Sequence, residues 1–344
     1  MAKSPKLAAI LVMEDQGALL LDGEGVELAR APEMAPGPQR RQAWSQALRG
    51  ALARGSELRV VLGQSSLTVQ CQEVPYLGPS EAREAARRMG AAEGAGVVLT
   101  SAALEEDPEA QGGHVLWVGA LPSGEMHDLV AVADDLGLKL VQATPWARAL
   151  WRGLPQAQDA PRTRMVLAVH GGMARLLVLQ GPALVLQRAF RLGEDEDEDL
   201  RLERIYQELA RTLQFVKQRQ RGLVVDQLLT LGLGGLPAGF LDRLRGLRLQ
   251  AEAGPLEVWP LLKAGLERER RGGLNLVPGE ILEAQARRFA RVVLWSASVL
   301  VLGLMVAGWV WLRWAERQRA VDADQMEATL AQRKALQAQR HEVV

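Results

Sequence analysis

The sequence predicts a two-lobed α/β fold followed by one membrane-crossing helix, and three observations carry that reading. Apolar strand hairpins followed by a helix and a further strand occur twice, once before Pro145 and again from Met165. Hydrophobic residues make up 48% of the 344-residue chain and charged residues 24%, enough apolar side chains for a sizeable core. Val292–Leu312, VVLWSASVLVLGLMVAGWVWL, then runs for 21 residues without a charge.

In chain order, Leu7–Met13, Ala18–Leu21 and Val26–Ala29 read as short strands joined by Gln16-Gly17 and Gly23-Glu24-Gly25. Ala31–Pro38, APEMAPGP, is a loop that no helix or central strand tolerates. Arg41–Arg54 carries Trp44, Leu48 and Leu52 at helical spacing. Arg59–Leu62 and Leu67–Val74 are strands, and Ser80 is placed to cap a helix over Glu81–Ala91. A strand pair around Gly96–Leu104 and His114–Ala120 precedes a helix reaching Asp134 or Asp135, then the segment Gly137–Pro145. The second lobe opens with the hairpin Met165–Arg191 around Gly171-Gly172. It continues through a helix from Leu200 to Arg221 with an apolar stripe at Leu202, Ile205, Leu209, Leu213 and Val216, and a strand Leu228–Leu233. The acidic run Glu194–Asp199 reads as a solvated loop whose last members favour the following helix N-terminus.

Several function classes fall away. Forty-one basic residues balance 41 acidic ones, so no nucleic-acid partner is expected. The single cysteine, Cys71, excludes an internal disulfide and a thiol–metal cluster. The four histidines are too scattered for a zinc site, so no metal site is expected.

As a helix, Val292–Leu312 rises roughly 31 Å, the thickness of a bilayer's hydrocarbon. Arginines flank it on both sides, and Trp295, Trp309, Trp311 and Trp314 sit near the two expected interfaces. The N-terminus has only a seven-residue apolar run and no signal-peptide pattern, so the large N-terminal domain is expected in the cytoplasm and the C-terminus outside. The expected layout is a cytoplasmic domain over 1–260, a linker over 261–291, the membrane helix over 292–312 and an external helix over 313–344. That last helix carries a ragged heptad at Val321, Met326, Leu330 and Leu336, which suggests a homodimer.

Three stretches resemble a known family. RVVLGQSSLTVQCQEVPYLGPSEAREAARRMG (Arg59–Gly90) is similar to the strands, proline and acidic helix of the bacterial actin-like platform proteins of type IV pili and type II secretion. LARTLQFVKQRQRG (Leu209–Gly222) and the following QLLTLGLGGLPAGFLDRL resemble that family's long helix and adenosine-side glycine loop. LNLVPGE (Leu274–Glu280) resembles the signature that introduces the membrane helix in the partner proteins. The order of the motifs, ending in one membrane helix, is similar to the GspL family, with a PilM–PilN-like fusion as the near relative. The resemblance implies an actin-like (ribonuclease H-like) cytoplasmic domain, a single inner-membrane crossing and a periplasmic helix. It also implies a scaffold linking a hexameric secretion ATPase to other inner-membrane platform proteins and pseudopilins. The family usually adds a small periplasmic domain, and residues 313–344 are not expected to form one, as in a truncated sequence or a divergent system.

The same resemblance implies two phosphate-binding hairpins, each with an acid near its glycines. The first hairpin keeps Asp15 and Gly17 but continues into Ala18-Leu19-Leu20, without hydroxylated residues or a lysine. The second has His170, or Ala168 on another register, before Gly171-Gly172; neither replaces a carboxylate around magnesium. Gly232, Gly234 and Gly235 alone keep the pattern. These positions read as remnants of a nucleotide site: no catalytic residue, no ATP cofactor, a pseudo-ATPase. Three alternatives stand beside one another: the scaffold, a PilM–PilN-like pilus protein with a nucleotide switch, and a membrane-tethered kinase-like enzyme, for which no catalytic aspartate offers itself. Leu274, Asn275, Leu276, Val277 and Pro278 read either as a self-docking peptide, as the family implies, or as a plain extended linker.

Overall fold

The computed structural model describes residues 9–15, 17–91, 98–107, 113–155, 163–170, 172–193, 197–220, 222–269 and 273–341. Its first sheet joins β1 (Ala9–Glu14), β2 (Gly17–Leu21), β3 (Glu27–Pro32), β4 (Glu57–Leu62) and β8 (Lys139–Pro145) in the order β3-β2-β1-β4-β8. The continuous apolar run AILVM puts β1 at the centre, buried on both faces and parallel to β4. β3 extends to Pro32, beyond the expected Ala29; it is an edge strand, where a residue without an N–H breaks no ladder.

The helix expected over Arg41–Arg54 is α1 (Pro38–Ala47), which starts earlier and stops sooner. Pro38 suits a first helical turn, and Gly50, at φ 81°, turns the chain away just after the end. Helix α2 (Pro79–Ala91) likewise begins before Ser80, so that serine is not its cap. Instead Glu81 Oε2 reaches back to accept the Gly78 N–H at 2.7 Å, half of a capping box.

Between β4 and α3 (Ser123–Leu136) lies an inserted antiparallel sheet of β5 (Thr68–Val74), β6 (Val98–Glu106) and β7 (His114–Pro122), ordered β5-β7-β6. β7 is buried on both faces and alternates between two cores. Leu116 and Val118 pack against Ala82 and Ala86 of α2, while Val115 and Trp117 face the main core. Cys71 on β5 is partly buried, and burial, against the opposing influence of the Leu184 backbone and Arg148, pushes its thiol up to about 12. That makes it an unreactive thiol.

The second lobe repeats the strand order of the first. Strands β9 (Thr163–His170), β10 (Met173–Gln180), β11 (Ala183–Arg191), β12 (Gln227–Leu231) and β13 (Gln250–Ala253) are ordered β11-β10-β9-β12-β13. Helix α5 (Glu198–Arg219) buries Ile205, Leu209, Thr212 and Val216 against it, and α6 (Ala238–Gly246) adds Phe240 and Leu244.

Two helices not anticipated from the sequence join the lobes: α4 (Trp146–Gly153) and α7 (Trp259–Arg268). They pack backbone to backbone. A Cβ at Gly265 would fall on the Ala149 carbonyl, and one at Gly153 on the Leu261 carbonyl. The compact unit therefore runs past residue 260, the expected end of the domain, to Gly279. Glu280–Val344 form a separate unit, almost all of it in one continuous helix, α8 (Gly279–His341). Among the described residues one stretch is long and apolar enough to cross a membrane, Leu294–Arg319 within α8, with a hydropathy of 1.8.

The α4–α7 contact generates a stability prediction. Gly265→Ala forces two backbones apart and should cost about 3 kcal/mol in urea unfolding. Gly234→Ala, where a Cβ meets nothing within 4 Å, should change stability by less than about 0.5 kcal/mol. Equal effects would refute the close-packing account.

Candidate functional site

The two hairpins that the sequence singles out do face one another. His170, at the end of β9, lines a cleft of about 60 Å³ together with Glu14, Gly17, Ala18 and Arg30 of the first lobe. Gly17 has φ 124°, and a Cβ there would fall on the Ala31 carbonyl, so close approach of β3 requires this glycine. Asp15 is engaged locally: its Oδ1 accepts the Ser65 N–H at 2.7 Å and the Ser65 hydroxyl at 3.0 Å. Gly172, at φ 77°, forms the β9–β10 turn and its carbonyl accepts the Leu192 N–H at 2.7 Å. Gly171 lies outside the described residues.

A residue missed in the sequence occupies the interlobe space. Arg175 projects from β10, is 2% exposed, and donates from Nη2 to the Gly63 carbonyl at 2.7 Å and to Glu14 Oε1 at 3.2 Å. Its guanidinium carbon lies 5.2 Å from the Trp146 ring centroid. The pairing joins the second sheet to the C-terminal ends of β1 and β4. The signal was present: an arginine inside the otherwise apolar run MARLLVL has to find acceptors once buried.

These residues do not fit a magnesium-bound triphosphate. Of the first hairpin's acids, Asp15 caps Ser65 and Glu14 is paired with Arg175, while the second hairpin offers an imidazole to a metal that prefers oxygen. The cleft that His170 lines is about 60 Å³, and a larger one of about 480 Å³ opens on the first-lobe side of Glu14, Asp15 and Gly17. On the adenosine side, Gly232 has φ 73° and a Cβ there would fall on the Val169 carbonyl, so this glycine serves chain packing. Gly234 and Gly235 face open space.

The Leu274–Val277 segment, by contrast, is built into the domain. β8 is the free edge of the first sheet, and the segment covers it. Asn275 takes the part of a neighbouring strand's peptide: Oδ1 accepts the Ala143 N–H at 2.9 Å, and Nδ2 donates to the Val141 carbonyl at 3.2 Å. Oδ1 also accepts the Val277 N–H at 3.1 Å. On the main chain, Leu276 N–H donates to the Ala143 carbonyl at 2.9 Å and Asn275 N–H to Ser101 Oγ on β6 at 3.2 Å. Leu274, Leu276 and Val277 are all buried, the two leucines against the position where Gly119 leaves room. Pro278 follows at once and leads into α8. Of the two readings of this stretch, the structure has the docked one.

A charge cluster fastens the entry to this segment. Glu269, at the end of α7, accepts from Arg148 Nε at 2.8 Å, from Arg152 Nε at 2.9 Å and from the Leu274 N–H at 2.7 Å. Glu105 of β6 accepts from Arg148 as well. Arg148 is sandwiched between the rings of Trp117 and Trp151, at 4.9 and 4.8 Å. Burial acts most strongly on Glu269 and pushes its pKa up. The charge of Arg148 and the three hydrogen bonds together outweigh burial, so the carboxyl stays below its ordinary range.

Two predictions arise here. Asn275→Ala strands the buried Ala143 N–H and the half-buried Val141 carbonyl of β8 and should cost about 2 kcal/mol. It should also abolish amide-exchange protection at Ala143 and Val277; unchanged protection would show that the side chain does not hold the segment. Glu269 has a folded pKa below its unfolded one, so its contribution is complete above about pH 4.5 and is lost as pH falls through the depressed value. The thermal midpoint should therefore drop on acidification below about pH 4.5, and less steeply in Glu269→Gln, which starts lower at neutral pH. Parallel pH profiles for the two proteins would rule out this linkage.

No family model and no curated protein matches the chain. Among solved structures, a chain of the PilM–PilN type IV pilus biogenesis complex is 18% identical. The match covers 75% of this chain and 90% of that one, with a TM-score of 0.53. The cytoplasmic domain of EpsL, an inner-membrane component of the type II secretion system of Vibrio cholerae, is 14% identical over 79% of this chain and 98% of that one, with a TM-score of 0.47. A Bacteroides thetaiotaomicron protein of unknown function, described as having an actin-like ATPase fold, is 10% identical over 75% and 96%, with a TM-score of 0.43. With its duplicated sheet order, inserted small sheet and two joining helices, the domain has the actin-like fold and shares it with the PilM–PilN structure.

Proposed function

We propose that the chain is a membrane-anchored scaffold of a type II secretion system, which links a cytoplasmic secretion ATPase to the inner-membrane platform and binds no nucleotide. The observation that carries this reading is the docked Leu274–Val277 segment. It is covalently continuous with the helix bearing the candidate span, so the actin-like domain is tied to the anchor without a second protein. The fold is shared with a complex whose description names it as type IV pilus biogenesis machinery. The Arg175–Glu14 pair supports a domain whose lobes are held by its own side chains rather than by a ligand. On this reading the domain faces the cytoplasm, α8 crosses the inner membrane once, and its far end is periplasmic.

The runner-up is a pilus-type nucleotide switch, favoured by the open Gly234-Gly235 loop. One set of experiments separates the two. The full chain in nanodiscs should give no saturable heat with MgATP, and, carrying an affinity tag, it should retain the hexameric ATPase of its own secretion system in pull-downs. Micromolar, magnesium-dependent ATP binding would replace the scaffold by the switch. Failure to retain the ATPase would remove the linking role.

A further inference from the structure

We draw no further inference here: the strongest candidate, the open polar groove of about 400 Å³ between α1 and α3 that Arg41, Arg49 and Asp135 line, has its Arg41 already paired with Asp128 and its Asp135 with the Ser45 hydroxyl, and nothing in the structure shows what covers it.

Discussion

The carboxylate of Glu269 is the point on which several parts of the domain converge. Its side chain is fully buried, an expensive position for a charge unless every lone pair is used. Here Arg148 and Arg152 of α4 and the Leu274 N–H use them. Glu269 ends α7, Arg148 is held between tryptophans of β7 and α4, and Glu105 adds a contact from β6. One ion cluster thus joins both lobes, the inserted sheet and the start of the docked segment. Removing one partner would strand buried charges of opposite sign, so the cluster fixes the geometry more than it adds net stability.

From that anchor the chain runs along the edge of β8, and the chemistry of Asn275 explains how a non-strand segment covers a strand edge. The amide side chain carries the same acceptor and donor as a peptide group. It can pair with the Ala143 N–H and the Val141 carbonyl while the backbone turns towards Pro278. The buried leucines on either side contribute roughly 1.5–3 kcal/mol each on full burial. This explains why the segment is ordered by the domain rather than spanning freely to the helix that follows.

The space between the lobes shows the opposite economy of charge. Where an actin-like nucleotide site would gather metal-binding acids, Glu14 faces Arg175 and Asp15 faces Ser65. The acids are used within the protein.

By itself the sequence determined most of the strands, because apolar runs such as AILVM and LLVL are short and bounded by turn residues, which favours strand over helix, and the duplicated lobe plan follows from their order. It also determined the apolar stretch within α8 and the long helix α5, by its 3.6-residue stripe. The tertiary structure alone decided the rest. Helix α4 is short and buried almost all round, so its sequence, WARALWRG, has no periodicity to read, and its arginines look solvent-exposed until Glu269 arrives from 121 residues away. Separations of 161 and 112 residues likewise hid the role of Arg175, whose acceptors lie on β1 and after β4. Distance in sequence also left LNLVP undecided between linker and docked peptide. A hydrogen-bond partner remote in sequence leaves no local pattern, and only the fold that brings the two together shows which reading holds.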